Sequence, residues 1–189
     1  TEDGGTSWQA QENALSLSGL HLNAMANLGE GGLIVSGERG LVGVSRDGGL
    51  TWKLSAPAYA GSYFGVTPTS ANSAVVYGQR GRVYVIDDLN RLPAGDPASF
   101  DPLMTPSPDD AEALRLGFRR VSIATEASFF GASLLSDGRA ALVGGDAALV
   151  IVNPAQAVST ALKHKGSATY SRVVRHGQQP LVVGMHGAS

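Results

Sequence analysis

An all-β fold, a β-propeller of four-stranded antiparallel blades, is predicted by three observations. The turn sequence Ser45-Arg46-Asp47-Gly48-Gly49-Leu50-Thr51-Trp52 has a second copy at Thr1-Glu2-Asp3-Gly4-Gly5-Thr6-Ser7-Trp8, 44 residues earlier. Four glycine-anchored turns, at Gly37, Gly78, Gly145 and Gly184, follow apolar runs at intervals of 41, 67 and 39 residues. The composition, with 25 Gly, 43% hydrophobic and only 16% charged residues, suits many short strands joined by tight turns. A period near 40 residues with several strands per repeat is the pattern of propeller blades.

The unit is most complete between residues 33 and 53. Residues 33–36 form an apolar run, Gly37-Glu38-Arg39-Gly40 turn the chain, and residues 41–45 form a second run rich in Leu and Val. Asp-Gly after such a run marks a hairpin, because Gly tolerates positive φ and Asp bonds its own backbone downstream. The Trp that closes the octapeptide offers a large apolar area to a small blade. Aligned on the anchor glycine, the equivalent stretches are residues 76–85, 143–152 and 182–187. Upstream strand candidates are residues 20–28, 63–67, 120–125 and 171–175. A unit therefore reads strand A, loop, strand B, Gly turn, strand C, octapeptide turn, strand D. The second and third units carry Ile86-Asp87-Asp88-Leu89-Asn90 and Val152-Asn153-Pro154 in place of the octapeptide.

The 67-residue interval holds an ordinary repeat plus an insertion at 93–118, whose prolines forbid a central strand. Within it, residues 107–116 are predicted to be helical. Ser107 serves as N-cap, Pro108 suits the first helical position, and Asp109 and Asp110 favour the positive end of the dipole. The chain reads as a single β-propeller domain, or a propeller fragment, over 1–189. Measured from the anchor glycine, Ser189 corresponds to Val42 and Thr1 to Ser45. The two ends would then complete one blade between them, giving four blades in a ring without exposed sheet edges. Ring closure by a second chain, and further blades before Thr1 or after Ser189, stay open.

Several function classes are disfavoured. A net charge of −2 does not suit a nucleic-acid binder. Without cysteine there are no disulfides and no Cys-ligated metal. His21, His164, His176 and His186 lack the spacing of metal ligands. Residues 29–32 lack the Lys-Ser/Thr of a phosphate loop, and no cofactor is called for. No run approaches the roughly 20 apolar residues of a spanning helix, so direct membrane insertion is not expected.

The octapeptide resembles the Asp-box, S/T-x-D-x-G-x-T-W, of bacterial-neuraminidase-type (BNR) repeats. With the Gly turns it makes the chain resemble the photosystem II assembly and stability factor family, called Ycf48-like (Hcf136-like in plants). Bacteria that do not photosynthesise carry relatives. The resemblance covers most of the chain apart from the insertion. It implies a seven-bladed, non-enzymatic propeller outside the cytoplasm, periplasmic or lumenal, that helps membrane-protein complexes assemble; about four units are recognisable here. It also implies that Asp3, Gly5, Ser7, Trp8, Asp47, Gly49, Thr51 and Trp52 are structural, since turn chemistry explains them. Asp-boxes occur in sialidases as well, on the face away from the catalytic site.

Candidate partner-binding residues lie on the Gly turns. Their third positions are Arg39, Arg80, Ala147 and His186, and repeated turns in a propeller fall on one face around one channel. Arg82 and Arg119 extend the patch. These B–C turns share their face with the D–A connections, from which the insertion is expected to emerge, and the octapeptides sit on the opposite face. Basic side chains beside a long loop suit an acidic or carboxylate-bearing segment of a protein partner. The alternative, a sialidase-like or sugar-binding propeller, needs a Tyr nucleophile with an arginine cluster. Tyr63, Tyr77, Tyr84 and Tyr170 and Arg119, Arg120, Arg172 and Arg175 are available, but no local motif selects among them.

Overall fold

Sterics at glycine fix where each blade turns. The computed structural model of the protein describes residues 1–101, 103–162, 168–176, 179–185 and 187–188. A Cβ on Gly37, Gly78, Gly144 or Gly184 would lie 2.0–2.3 Å from the carbonyl oxygen of His21, Ser62, Ser128 or Thr169. Only glycine lets these two segments meet. The N–H groups of Gly37, Gly78 and Gly144 donate to the carbonyls of Leu41, Arg82 and Ala148, at 3.1, 3.0 and 3.0 Å. The third anchor is therefore Gly144 and not Gly145. The third turn position in that repeat is Asp146 (φ 51°), equivalent to Arg39 (52°) and Arg80 (54°), and Ala147 takes the fourth.

Alternating apolar residues flank each turn and build four antiparallel sheets. The first contains β1 (Leu22–Gly29), β2 (Gly32–Gly37), β3 (Val42–Ser45) and β4 (Lys53–Leu54). The second contains β5 (Tyr63–Ser70), β6 (Ser73–Gly78), β7 (Val83–Ile86) and β8 (Phe118–Arg120). The third contains β9 (Phe129–Leu134), β10 (Ala140–Gly144), β11 (Leu149–Asn153) and β12 (Val158–Ala161). The fourth has three strands among the described residues, β13 (Tyr170–His176), β14 (Gln179–Gly184) and β15 (Gly187–Ala188). The innermost strands β1, β5, β9 and β13 pack successively, as blades do around a channel. The sheets are not closed into a ring, residues 1–12 form no strand, and the expected joining of the two ends is absent among the described residues.

The two middle blades pack against a neighbour on both faces, so the core lies between blades. Tyr63, Tyr84 and Phe118 pack with Ile34 and Val42 between the first two sheets. Phe129 and Leu142 pack with Val75 and Val85 between the second and third, and Tyr170, Val173 and Val182 with Ala141 and Val143 between the third and fourth. Burying one such side chain contributes on the order of 2–3 kcal/mol. The first residues of the inner strands show the same logic. Tyr63, Phe129 and Tyr170 are buried, whereas Leu22 is 46% exposed because no described blade precedes the first. That blade's outer side is instead covered by α1 (Ala14–Leu17), capped by Asn13, which lays Leu15 against Val35, Leu41 and Leu54. A repeated backbone bond ties neighbours together: Gly40, Gly81 and Ala147 donate to the carbonyls of Gly61, Ala127 and Ala168 at 2.8, 3.0 and 2.8 Å.

The insertion differs from expectation in its origin. Residues 118–120 pair with β7 as the outer strand of the second blade, so strand A of the third blade is β9 and not residues 120–125. The insertion therefore leaves from the C–D connection, on the octapeptide face. It then runs along the first blade, where Ala56 donates to Pro93 at 2.9 Å and Gly95 to Leu54 at 3.0 Å. It reaches the Gly-turn face, where Ser107 Oγ accepts from the Ala60 amide at 3.0 Å. With that hydroxyl engaged, the helix α2 (Asp110–Arg115) starts later than expected and takes Asp109 as its N-cap.

Candidate protein-binding site

The two octapeptide turns fold alike. The Asp47 carboxylate accepts from the Thr51 amide (2.9 Å), the Thr51 hydroxyl (2.5 Å) and the Ser45 hydroxyl (2.8 Å), while Trp52 Nε1 donates to Gly49 O (2.9 Å). Asp3 accepts in the same way from the Ser7 amide (2.9 Å), the Ser7 hydroxyl (2.7 Å) and Thr1 (2.8 Å), and Trp8 Nε1 donates to Gly5 O (3.2 Å). The hydroxyl donors of Ser7 and Thr51, followed by their amides, hold both carboxyls down at about 2. The Asp, Ser/Thr and Trp side chains thus bond within their own turn, whereas Arg46 reaches out to Ala71 O, Asn72 and Asn90 and the Gly48 amide donates to Gly31 O.

The chemistry on the opposite face gathers at the junction of the second and third blades. Arg80 stands exposed on its turn, and Arg82 follows two residues later at the mouth of β7. Arg120 ends β8, directly across the sheet from Tyr84. With Ile123, Thr125 and Glu126 these arginines line a cleft of about 650 Å³. Two of the three guanidinium groups are oriented by aromatic faces. Arg82 lies 5.7 Å from the Tyr59 ring centroid and Arg120 5.6 Å from that of Tyr84. Beneath them Tyr59, Tyr63, Tyr84 and Phe118 form a series with centroid spacings of 5.8, 6.1 and 6.2 Å, tilted at the first pair and edge-to-face at the other two. Asp110 approaches Arg120 at 3.7 Å, so three cations face two carboxylates and the cleft keeps a positive balance.

The residues predicted for partner binding are only partly brought together. Arg80 and Arg82 share the cleft. Arg39 points instead to the insertion, where Nη1 donates to the carbonyls of Ala98 (3.3 Å) and Phe100 (3.4 Å). Arg119 forms a two-pronged pair with Asp87 (3.0 and 2.6 Å) and donates to Pro154 O (2.8 Å), which puts it on the octapeptide side. His186 lies outside the described residues, and the ring position of the third blade holds Asp146 in place of a cation. Arg120 was not foreseen here, yet strand geometry signals it. Successive residues of β8 must point to opposite sides, so Arg119 and Arg120 cannot serve one patch. Among the described residues no group of three or more His, Asp or Glu is placed to hold a metal ion. No described helix is long and apolar enough to cross a membrane.

No family model and no curated protein matches the sequence. Among solved structures, the chain is similar to the WD40 β-propeller domain of Doa1, at 8% identity and a TM-score of 0.65, over 88% of this chain and 49% of that one. It is similar to YCF48 bound to D1 peptide, at 12% identity and a TM-score of 0.58, over 87% and 46%. A third likeness is to the C-terminal WD40 domain of Sif2, at 10% identity and a TM-score of 0.58, over 89% and 43%. The chain thus spans about half, or less, of the structures it matches. At these identities the likeness shows the fold alone, and that fold is the β-propeller.

Proposed function

We propose that the chain is a non-enzymatic scaffold that takes an acidic segment of a protein partner in the arginine cleft. The observation that carries this reading is the convergence of Arg80, Arg82 and Arg120 around one cleft, two of them held over aromatic rings. Preoriented guanidinium groups bind carboxylates through short charge-assisted bonds and lose little freedom in doing so. YCF48, a propeller of similar fold, is bound to a D1 peptide in its structure. The finer assignment, a Ycf48-like assembly factor working outside the cytoplasm of a bacterium on a membrane-protein complex, rests on the Asp-box and Gly-turn resemblance. A sialidase-like reading would need a tyrosine able to ionise. Burial instead pushes the Tyr84 phenol up to about 12 and those of Tyr63 and Tyr77 upward as well, which disfavours three of the four candidate tyrosines as nucleophiles.

The test uses a fluorescein-labelled octapeptide of Glu, Asp and Ser, followed by anisotropy. Arg80→Ala combined with Arg82→Ala should weaken binding by about tenfold or more, and added salt should weaken the wild type steeply. The thermal midpoint should fall only slightly, because Arg80 is exposed and Arg82, partly buried, loses only its contact with the Tyr59 ring. Unchanged affinity in the double variant would refute the cleft as the binding site.

A further inference from the structure

Each innermost strand is interrupted at the same point by one unpaired residue. In β1 the register passes from Leu22 to Ala24, in β5 from Tyr63 to Gly65, in β9 from Phe129 to Gly131 and in β13 from Tyr170 to Arg172, while the partner strand advances by a single residue. The extra residues are Asn23, Phe64, Phe130 and Ser171. Such bulges re-aim a side chain away from the ladder, here at the end of each inner strand beside the Gly turn.

Two of the four are polar and hydrogen-bonded, one to the next blade and one to its own paired strand. Asn23 Nδ2 donates to Tyr63 O at 2.8 Å, and Ser171 Oγ to Val183 O at 3.3 Å. The other two are phenylalanines whose rings stack at 5.6 Å with an interplanar angle of 28°. The core does not require them, since the preceding residues Tyr63 and Phe129 already fill the gaps between blades and are fully buried. Phe130 instead remains 41% exposed. The pair belongs to the same two blades as the arginine cleft. The Gln79–Gly81 turn that carries Arg80 is bonded to the residue just before β5, through Gln79 N to Ser62 O at 3.1 Å, and packs on β9.

We infer that the Phe64–Phe130 pair is an anchor site for an aromatic side chain of the acidic segment whose carboxylates the arginines take. This deepens the reading of the cleft and rests on it. Charge complementarity selects the occupant, because three arginines and a stacked aromatic pair carried by the same two blades match a short peptide that holds acidic and aromatic residues. A nucleic acid would bring stacking bases and phosphates, but a chain of net charge −2 lacks the extended basic track that polyanions need.

A double-mutant cycle tests this with two labelled probes, an octapeptide of Glu, Asp and Ser with one central Phe and the same peptide with Ala in its place. Wild type should bind the Phe probe about fivefold more tightly than the Ala probe. Phe130→Ala should remove that preference and leave affinity for the Ala probe unchanged. Phe130→Leu, which keeps apolar volume without a ring face, should reduce the preference and guards against a folding defect in the first variant. Equal binding of both probes to wild type, still dependent on Arg80 and Arg82, would overturn the anchor and leave the cleft standing. A preference that survives Phe130→Ala would also overturn it. If neither probe binds, the cleft fails and the anchor fails with it.

Discussion

Residues 1–8 and 45–52 adopt the same turn with the same hydrogen bonds, yet one indole is packed and the other is not. Trp52 lies half-buried against the cluster of Leu15, Leu41 and Leu54, while Trp8 is 77% exposed. The carboxylate network is therefore complete within eight residues and does not depend on the blade. What the blade adds is a surface for the indole, and with it the hydrophobic return. Local bonds shape the turn, and only packing makes it contribute to the stability of the domain.

Truncating the two indoles should separate these contributions most widely. Trp52→Ala is expected to lower unfolding free energy by about 2–4 kcal/mol, below the cost for a fully buried Trp because the ring is partly exposed. Trp8→Ala should change it by less than about 0.5 kcal/mol. Urea denaturation measures both, and equal losses would break the comparison. A smaller effect is expected from the hydroxyl donors. Thr51→Val should lower the thermal midpoint measurably, whereas Ser7→Ala should leave it in place and raise only the Asp3 pKa.

The smallest difference should appear in titration. Both aspartates are held at about 2 against an ordinary value of 3.8, so each ionised network holds its own turn fully above about 3.8 and is lost as pH falls through about 2. Carboxyl chemical shifts followed by NMR should give similar values for Asp3 and Asp47. A normal value for Asp3 alone would show that its turn needs a blade after all.

Much of this architecture is legible in sequence because glycine leaves a steric signature. The anchors at Gly37, Gly78 and Gly184 coincide with contacts that no other residue tolerates. The third repeat reads one residue late because Gly144 and Gly145 are adjacent, and only the contact of Gly144 with Ser128 O and its bond to Ala148 tell them apart. The two-residue strand β4 and the three-residue strand β8 are too short to announce themselves by periodicity. Missing β8 displaced both the third inner strand and the origin of the insertion. The site was half legible. Arg80 and Arg82 follow from turn position, but the capture of Arg39 by the carbonyls of Ala98 and Phe100 spans 59 and 61 residues and has no local cue. The bulges that expose Phe64 and Phe130 break the alternation of their strands by one residue, which single-strand patterns do not resolve.

The most direct test of the division between the two faces is amide chemical-shift mapping of the intact chain during titration with the acidic Phe octapeptide. Shifts should concentrate at Arg80, Arg82, residues 123–126, Phe64 and Phe130, and residues 1–8 and 45–52 should stay still. Shifts centred on the octapeptide turns, with the arginine cleft unmoved, would contradict the account.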